Sequence, residues 1–353
     1  MRPVSLPPNL VDHFYAGGGK IAALRGIRTT SAHQPEEWLA ATVARAGDGR
    51  VGLSALSDGR LLRDVVAADP VAWTGTASAP GGPADTGLLV KLLDAGQRLP
   101  VHAHPDRSFA ARHLSCPYGK TEAWYVLDAT LDGAVYLGWS ADVDPDELAR
   151  RRDAQDSDWM LGHLNRVEVR PGDGLLVPAG TAHALGEGVF VAELQEPTDL
   201  SIVLEWSITT SDRGDSHLGL GFDAVMSAVD HRRMSPERLA ALHRFTNPRA
   251  SAAEPRSAFV AEADPFFRLD VWAPHGGGAP AVPAGFAVVV VLEGDGSLVG
   301  DTDARPVHRG EVLAVPAAFG GWRADGYVRL LVCRPGVGHG TAPERESRGA
   351  HRV

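Results

Sequence analysis

Lysine is nearly missing from this sequence. Of its 34 basic residues only Lys20, Lys91 and Lys120 are lysine, and the other 31 are arginine. A chain that so favours the guanidinium is expected to keep an ammonium where a compact point charge does what a planar fork does not. Cysteine is scarcer still. Cys116 and Cys333 give no disulfide framework, so a reducing, cytoplasmic setting is expected. No apolar run approaches the length that spans a bilayer. The longest, residues 286–292, reads as a buried strand. The start, MRPVSLPPNLVDHF, lacks the apolar core of a signal peptide. Excess positive charge is absent too: the net charge is −10 with no basic patch, which argues against nucleic acid and anionic membranes as partners. What remains is an ordinary globular composition, 44% hydrophobic and 22% charged, in 353 residues, a length that suggests two domains.

Most of the chain reads as short strands punctuated by glycine, proline and aspartate: 87–93, 123–127, 174–177, 189–194, 201–206, 287–292 and 327–332. Such spacing predicts an all-β sandwich or barrel. Helical patterns are few: 35–46, 144–152 with Pro145 suited to a first turn, and a connector over 222–229 and 236–243. The Pro/Ser/Ala-rich stretch 245–256 reads as a boundary. An internal repeat supports two units. GDGLLVPAGTAH at 172–183 recurs as GEVLAVPAAFGG at 310–321, with Gly321 in the place of His183. The second copy also lacks a His-x-His and is expected to be metal-free.

Three of the 14 histidines stand in a pattern. His102 and His104 lie in LPVHAHPD, and residues i and i+2 of a strand face one side. His183 closes a Gly-x5-Pro-x-Gly-x2-His segment that fits the second cupin motif, whose turn brings the next strand back toward a His-x-His pair. Glu122, in GKTEAWYVL, adds an anionic fourth ligand. Three imidazoles and a carboxylate suit one divalent ion: zinc first, with manganese, iron and cobalt as alternatives. The expected fold is mainly β: two cupin (jelly-roll) β-barrels with a few short helices. Residues 1–220 form a metal-binding catalytic domain with an N-terminal extension, 221–250 a helical connector, and 251–353 the metal-free second domain.

The segments LLVKLLDAGQRLPVHAHPDRSFA, GKTEAWYVL and LLVPAGTAHALGEGVFVAELQEPTD resemble the class I mannose-6-phosphate isomerases, and the resemblance extends weakly over nearly the whole chain. It implies a zinc-dependent interconversion of mannose 6-phosphate and fructose 6-phosphate. It also implies that Glu122, His104 and His183 are metal ligands, with His102 where the family has glutamine. Lys120 maps to the family's lysine beside the ligand glutamate, where a cation can stabilise an enediolate. Glu193 maps to the acid of a Glu-x-Gln segment and is the candidate proton carrier. Lys91 falls in a matched segment and is given a structural role. Two departures stand out. The family's arginine after the Thr-Asp pair is replaced here by Val203, or by Ile202 if the match slips by one, and Arg107 stands where the family usually has an acid, which makes it the candidate to restore the lost charge. The expected partner is a small sugar or sugar phosphate; the sequence leaves the oligomeric state open. The competing readings are an isomerase or epimerase of an unphosphorylated or modified sugar, and a non-catalytic sugar-binding cupin.

Overall fold

The structure is a computed structural model describing residues 1–76, 85–250, 255–274 and 282–337. Residues 251–254, where the second domain is expected to begin, and 338–353 lie outside the described residues. The architecture is mainly β, as expected, in three antiparallel sheets. A five-stranded sheet runs Ile202–Val203, His102–Ala103, His183–Leu185, Ala134–Trp139, Leu164–Glu168. Facing it is a seven-stranded sheet in the order His243–Phe245, Asp173–Val177, Glu122–Asp128, Phe190–Gln195, Leu89–Asp94, Glu36–Leu39, Leu10–Val11. Leu93, Trp124, Val126, Val135, Leu137, Leu185 and Val191 fill the space between these two sheets.

The third sheet takes Val4–Ser5 from the N-terminus and otherwise comes from residues 256–335. Its long strands Ala287–Gly300 and Trp322–Pro335 pair along most of their length, with a bulge between Val291 and Glu293. Val289, Val291, Trp272, Trp322, Leu330 and Val332 make one apolar core on one face. The alternate residues Val288, Val290, Leu331 and Cys333 pack on the other face against Val90, Leu92, Ala123, Tyr125, Ala192 and Leu194 of the first seven-stranded sheet. Both faces are buried, which is why 286–292 reads as an unbroken apolar run. The sheet that carries Lys91, Glu122 and Glu193 is thereby backed along its outer face by the second barrel.

The two repeat copies share local structure. Gly172 (φ +100°) and Gly310 (φ +83°) occupy the left-handed region just ahead of the strands Asp173–Val177 and Val312–Val315. At the position equivalent to His183 the second copy has Gly321, followed by the buried Trp322, so hydrocarbon fills the corresponding interior.

Three expectations change. Residues 35–46 are not a helix: Glu36–Leu39 is a strand paired with Leu89–Asp94, and Ala40 then turns at φ +50°. Trp38, Leu39, Ala40 and Ala41 are all buried, so no amphipathic helical face exists to outweigh pairing to a neighbouring strand. The strand expected over 201–206 shortens to Ile202–Val203. The connector 236–243 ends as a helix at Leu242, and His243–Phe245 joins the first barrel. Helix Pro145–Asp153 forms as predicted, with Asp144 accepting from the Glu147 N–H and Pro145 in the first turn.

Candidate metal centre and its cavity

Strand register assembles the imidazoles. His183 lies directly opposite His102, with ring centroids 4.1 Å apart, and His104 sits 4.9 Å from each. One ring nitrogen from each histidine lies within 4.8 Å of the others, and this is the one such cluster among the described residues. Each ring turns its Nδ1 to a backbone carbonyl at 2.8 Å: His102 to Pro100, His104 to Leu200, His183 to Thr181. A carbonyl accepts only, so each Nδ1 carries the proton and each Nε2 presents a lone pair, which in His104 accepts from Lys120 Nζ at 3.0 Å.

Glu122 faces those lone pairs. Its Oε2 is 3.0 Å from His104 Nε2 and its Oε1 is 3.3 Å from His183 Nε2. His183 Nε2 has no hydrogen-bond partner, and Glu122 Oε2 accepts no well-directed hydrogen bond, although both are buried. The Lys120 ammonium bridges His104 Nε2 and Glu122 Oε2, at 3.0 and 3.1 Å, but the acceptors Glu122 Oε1 and His183 Nε2 face each other with no such charge and call for a cation between them. Protons do not supply it: burial, reinforced by Lys120, pulls His104 down to about 3, and burial with the neighbouring His183 pulls His102 well below its ordinary value. Burial works to raise Glu122, but Lys120 and His104 outweigh it and hold the carboxyl well below its usual range. The donor set fits a divalent cation of borderline softness.

The surroundings fit as well. Period-two alternation places Trp38, Lys91, Glu193 and Trp124 on one rung across four strands, all facing the interior. Lys91 Nζ lies 3.2 Å from Glu36, 3.5 Å from Glu193 and 3.8 Å from Asp199, and 4.7 Å over the Trp38 ring. Lys120 Nζ lies 3.0 Å from His104 Nε2 and 3.1 Å from Glu122. Four carboxylates (Glu36, Glu122, Glu193, Asp199) thus share two ammoniums, an excess of negative charge that a divalent ion offsets. Burial raises Glu193 to about 7, with the Glu122 charge adding to it and Lys91 and Lys120 opposing. Burial opposes Lys91's charge, but Glu36, Glu193 and Asp199 prevail and hold it above its ordinary value. Glu193 Oε2 accepts from Trp124 Nε1 at 3.3 Å.

An inner cavity of about 40 Å³ is lined by His102, Lys120, Glu193, Lys91 and Glu36. It shares His13, Phe14, Asp199, Ser201 and Val203 with an outer cleft of about 560 Å³. Val203 sits at the junction of the two and gives it an apolar wall.

The structure brings together His102, His104, Glu122, His183, Lys120 and Glu193. It does not bring Arg107 to them. Arg107 opens helix Arg107–His113, donates to Glu196 and stacks 4.9 Å over Phe266, lining neither cavity. Glu196 draws it away: that buried carboxylate also accepts from the Thr121 N–H, and Arg107 is its cation. Sequence reasoning missed Tyr15, Glu36 and His13. Tyr15 donates to Glu36, and His13 Nε2 lies 3.6 Å from it. The period-two spacing of Glu36 and Trp38 is the one local signal for this group.

Fold and site together define a double cupin with a metal-competent histidine triad in one barrel. No profile of a known protein family matches the chain. Among curated proteins it is 28% identical over 247 residues to the mannose-6-phosphate isomerase ManA of Bacillus subtilis, covering 69% of this chain and 74% of that one. It is also 28% identical over 244 residues to the mannose-6-phosphate isomerase of Streptococcus mutans, covering 69% and 72%. The crystal structure of the mannose 6-phosphate isomerase from Bacillus subtilis superposes with a TM-score of 0.70 at 22% identity, over 95% of this chain and 100% of that one. The apo form of the Salmonella typhimurium enzyme gives 0.69 at 15% identity, over 96% and 100%. In sequence the chain is thus similar to mannose-6-phosphate isomerases over about 70% of its length, and in fold it is similar to them over nearly all of it. Among the described residues no helix is long and apolar enough to cross a membrane.

Proposed function

We propose that this chain is a metal-dependent aldose–ketose isomerase that interconverts mannose 6-phosphate and fructose 6-phosphate through a cis-enediol. One divalent ion, zinc first, is held by His102, His104, Glu122 and His183. The observation that carries the reading is the triad whose three Nδ1 atoms are committed to carbonyls, set beside a carboxyl at about 7 that opens on a cleft. The activity named for the relatives supports it.

When bound, the ion supplies Lewis-acid polarisation of the sugar's carbonyl and hydroxyl oxygens. Glu193 takes the proton from C2 and returns it to C1, at a pKa matched to neutral pH. Lys91 and the Trp124 N–H fix its carboxylate, and Lys91's charge keeps it ionisable despite burial. Lys120 places a cation where charge develops on the enediolate oxygens. Arg107 has no part in this reading, since its guanidinium is engaged by Glu196.

A second reading, an isomerase or epimerase of an unphosphorylated sugar, is favoured by the apolar Val203 wall and by Asp12, Asp199 and Asp215 in the outer cleft. Proton exchange at C2, followed by NMR in D₂O with mannose 6-phosphate and mannose in separate samples, tests both. Exchange and ketose formation with the ester supports the first reading. Exchange with the free sugar alone selects the second, and no exchange with either overturns the first and leaves a different sugar or a non-catalytic sugar-binding protein.

A further inference from the structure

Away from the metal centre, two buried donors are left without acceptors, and their residues line one cavity. Tyr125 is 1% exposed and its hydroxyl has no hydrogen-bond partner among the described residues; the buried Nε–H of Arg329 has none either. Both residues line a cavity of about 310 Å³ between the two barrels, the size of a small-molecule site. Tyr125 comes from strand Glu122–Asp128 of the first barrel and Arg329 from strand Trp322–Pro335 of the second. Buried donors are almost always paired, and leaving them unpaired is destabilising, so two in one cavity point to an acceptor that enters it.

The walls and the charges narrow its chemistry. Leu24, Leu127, Phe190, Pro248 and Leu292 give the cavity apolar sides. Leu292 belongs to the bulge of strand Ala287–Gly300, where the register against Trp322–Pro335 shifts between Val291 and Glu293. Lys20, Arg309 and Arg329 line the cavity against Asp128 and Glu293, which leaves one surplus positive charge. Lys20 Nζ lies 3.0 Å from Asp128 and donates to the Gly188 carbonyl at 2.8 Å, and Arg329 lies 3.3 Å from Glu293. Arg309 donates to the Ala23 carbonyl at 3.2 Å and has no carboxylate partner among the described residues. Of the three lysines, Lys91 and Lys120 stand at the metal centre; Lys20 serves here, where it neutralises the Asp128 carboxylate.

We infer that the cavity between the barrels is a second binding site, separate from the metal centre, for a small organic carboxylate with an apolar body, whose oxygens accept the Tyr125 O–H and the Arg329 Nε–H. One surplus positive charge matches a monoanion, and the apolar walls match hydrocarbon rather than a sugar. Burial raises the Tyr125 phenol to about 12, so at neutral pH it is protonated and donates. Hydrogen bonds from a guanidinium to a carboxylate are of the stronger, charge-assisted kind. A molecule held by residues of both barrels binds only the folded, docked chain and so stabilises it.

The experiment is calorimetric titration of the metal-loaded full chain with 3-phenylpropionate, 3-phenylpropionamide and inorganic phosphate, for wild type, Tyr125→Phe and Arg329→Met, with melting temperatures measured with and without each probe. Wild type should bind the acid and melt higher in its presence, and should bind the amide and phosphate about tenfold more weakly or worse. Each variant should weaken the acid about tenfold or more. Without a probe, Tyr125→Phe should melt no lower than wild type, because the hydroxyl it removes makes no bond. No binding of the acid to wild type, or equal binding of the amide, overturns the site. Wild-type affinity in either variant overturns it too, since the acid is then held elsewhere, as on the metal. Phosphate that binds as tightly as the acid overturns the carboxylate, and a lower melting temperature for Tyr125→Phe without a probe overturns the unpaired hydroxyl on which the site rests.

Discussion

Lys91→Met perturbs the network at its centre. The ammonium is shared by Glu36, Glu193 and Asp199 at 3.2, 3.5 and 3.8 Å and is almost wholly buried. Methionine keeps the length and packing over Trp38 but removes the charge. Leaving buried carboxylates without their cation costs about 3–5 kcal/mol. In a protein of this size that is a fall in melting temperature on the order of 10 °C. The catalytic consequence has a definite sign. Lys91 opposes the rise of Glu193, which stands at about 7, so its loss pushes Glu193 higher. A rise of about one unit takes the ionised fraction at pH 7 from about a half to about a tenth. The acid limb of the kcat/KM profile should therefore move to higher pH, with activity recovering in alkali. Steady-state kinetics across the neutral range on metal-loaded protein, with bound metal quantified in parallel, is the assay. A limb that stays in place or moves to lower pH refutes Glu193 as the base held by Lys91.

Three further outcomes follow from the same contacts. Glu193→Gln should lower kcat by about 100-fold or more with bound metal unchanged, because only the proton carrier is lost; full activity would remove Glu193 from the chemistry. His102→Gln exchanges a nitrogen donor for an oxygen donor, so the ion should be retained while competition between zinc and manganese shifts toward manganese; loss of all metal would contradict this. Phe267→Ala empties a fully buried site in the core shared by the two barrels and should cost about 3–5 kcal/mol, read by denaturant unfolding. A cost near zero would mean that the shared core does not couple them.

The clustering of His102, His104 and His183 beside Glu122 was legible because its geometry is local. A His-x-His on a strand, a glycine-proline turn that returns a histidine, and a glutamate at a strand start are each written in contiguous residues. The mainly β fold was legible for the same reason, through short apolar runs and turn residues. What stayed hidden depends on register between distant strands. Glu36 reaches Lys91 only because Trp38 pairs opposite it, and an alanine-rich segment read as helix gave no sign of that pairing. The absence of charge at Val203 was visible, but its neighbours were not. Arg107 drew notice because it stands where an acid was expected, and the buried Glu196 that captures it became apparent only with the fold. The length of Ala287–Gly300 was concealed by Gly294 and Gly296, which read as turn residues. They are instead required where the paired strand presses close: a Cβ at Gly294 would stand 1.8 Å from the Tyr327 carbonyl oxygen.

The central claim is a buried metal centre built on His102, His104, Glu122 and His183. Its most direct test is the metal content of purified protein, wild type against His183→Ala, by elemental analysis with folding checked by circular dichroism. His183 is fully buried and its Nε2 has no other partner, so the account predicts about one divalent ion per wild-type chain and almost none in a folded variant. Wild-type protein that refolds and retains its activity without any ion, or a variant that keeps a full equivalent, would contradict it.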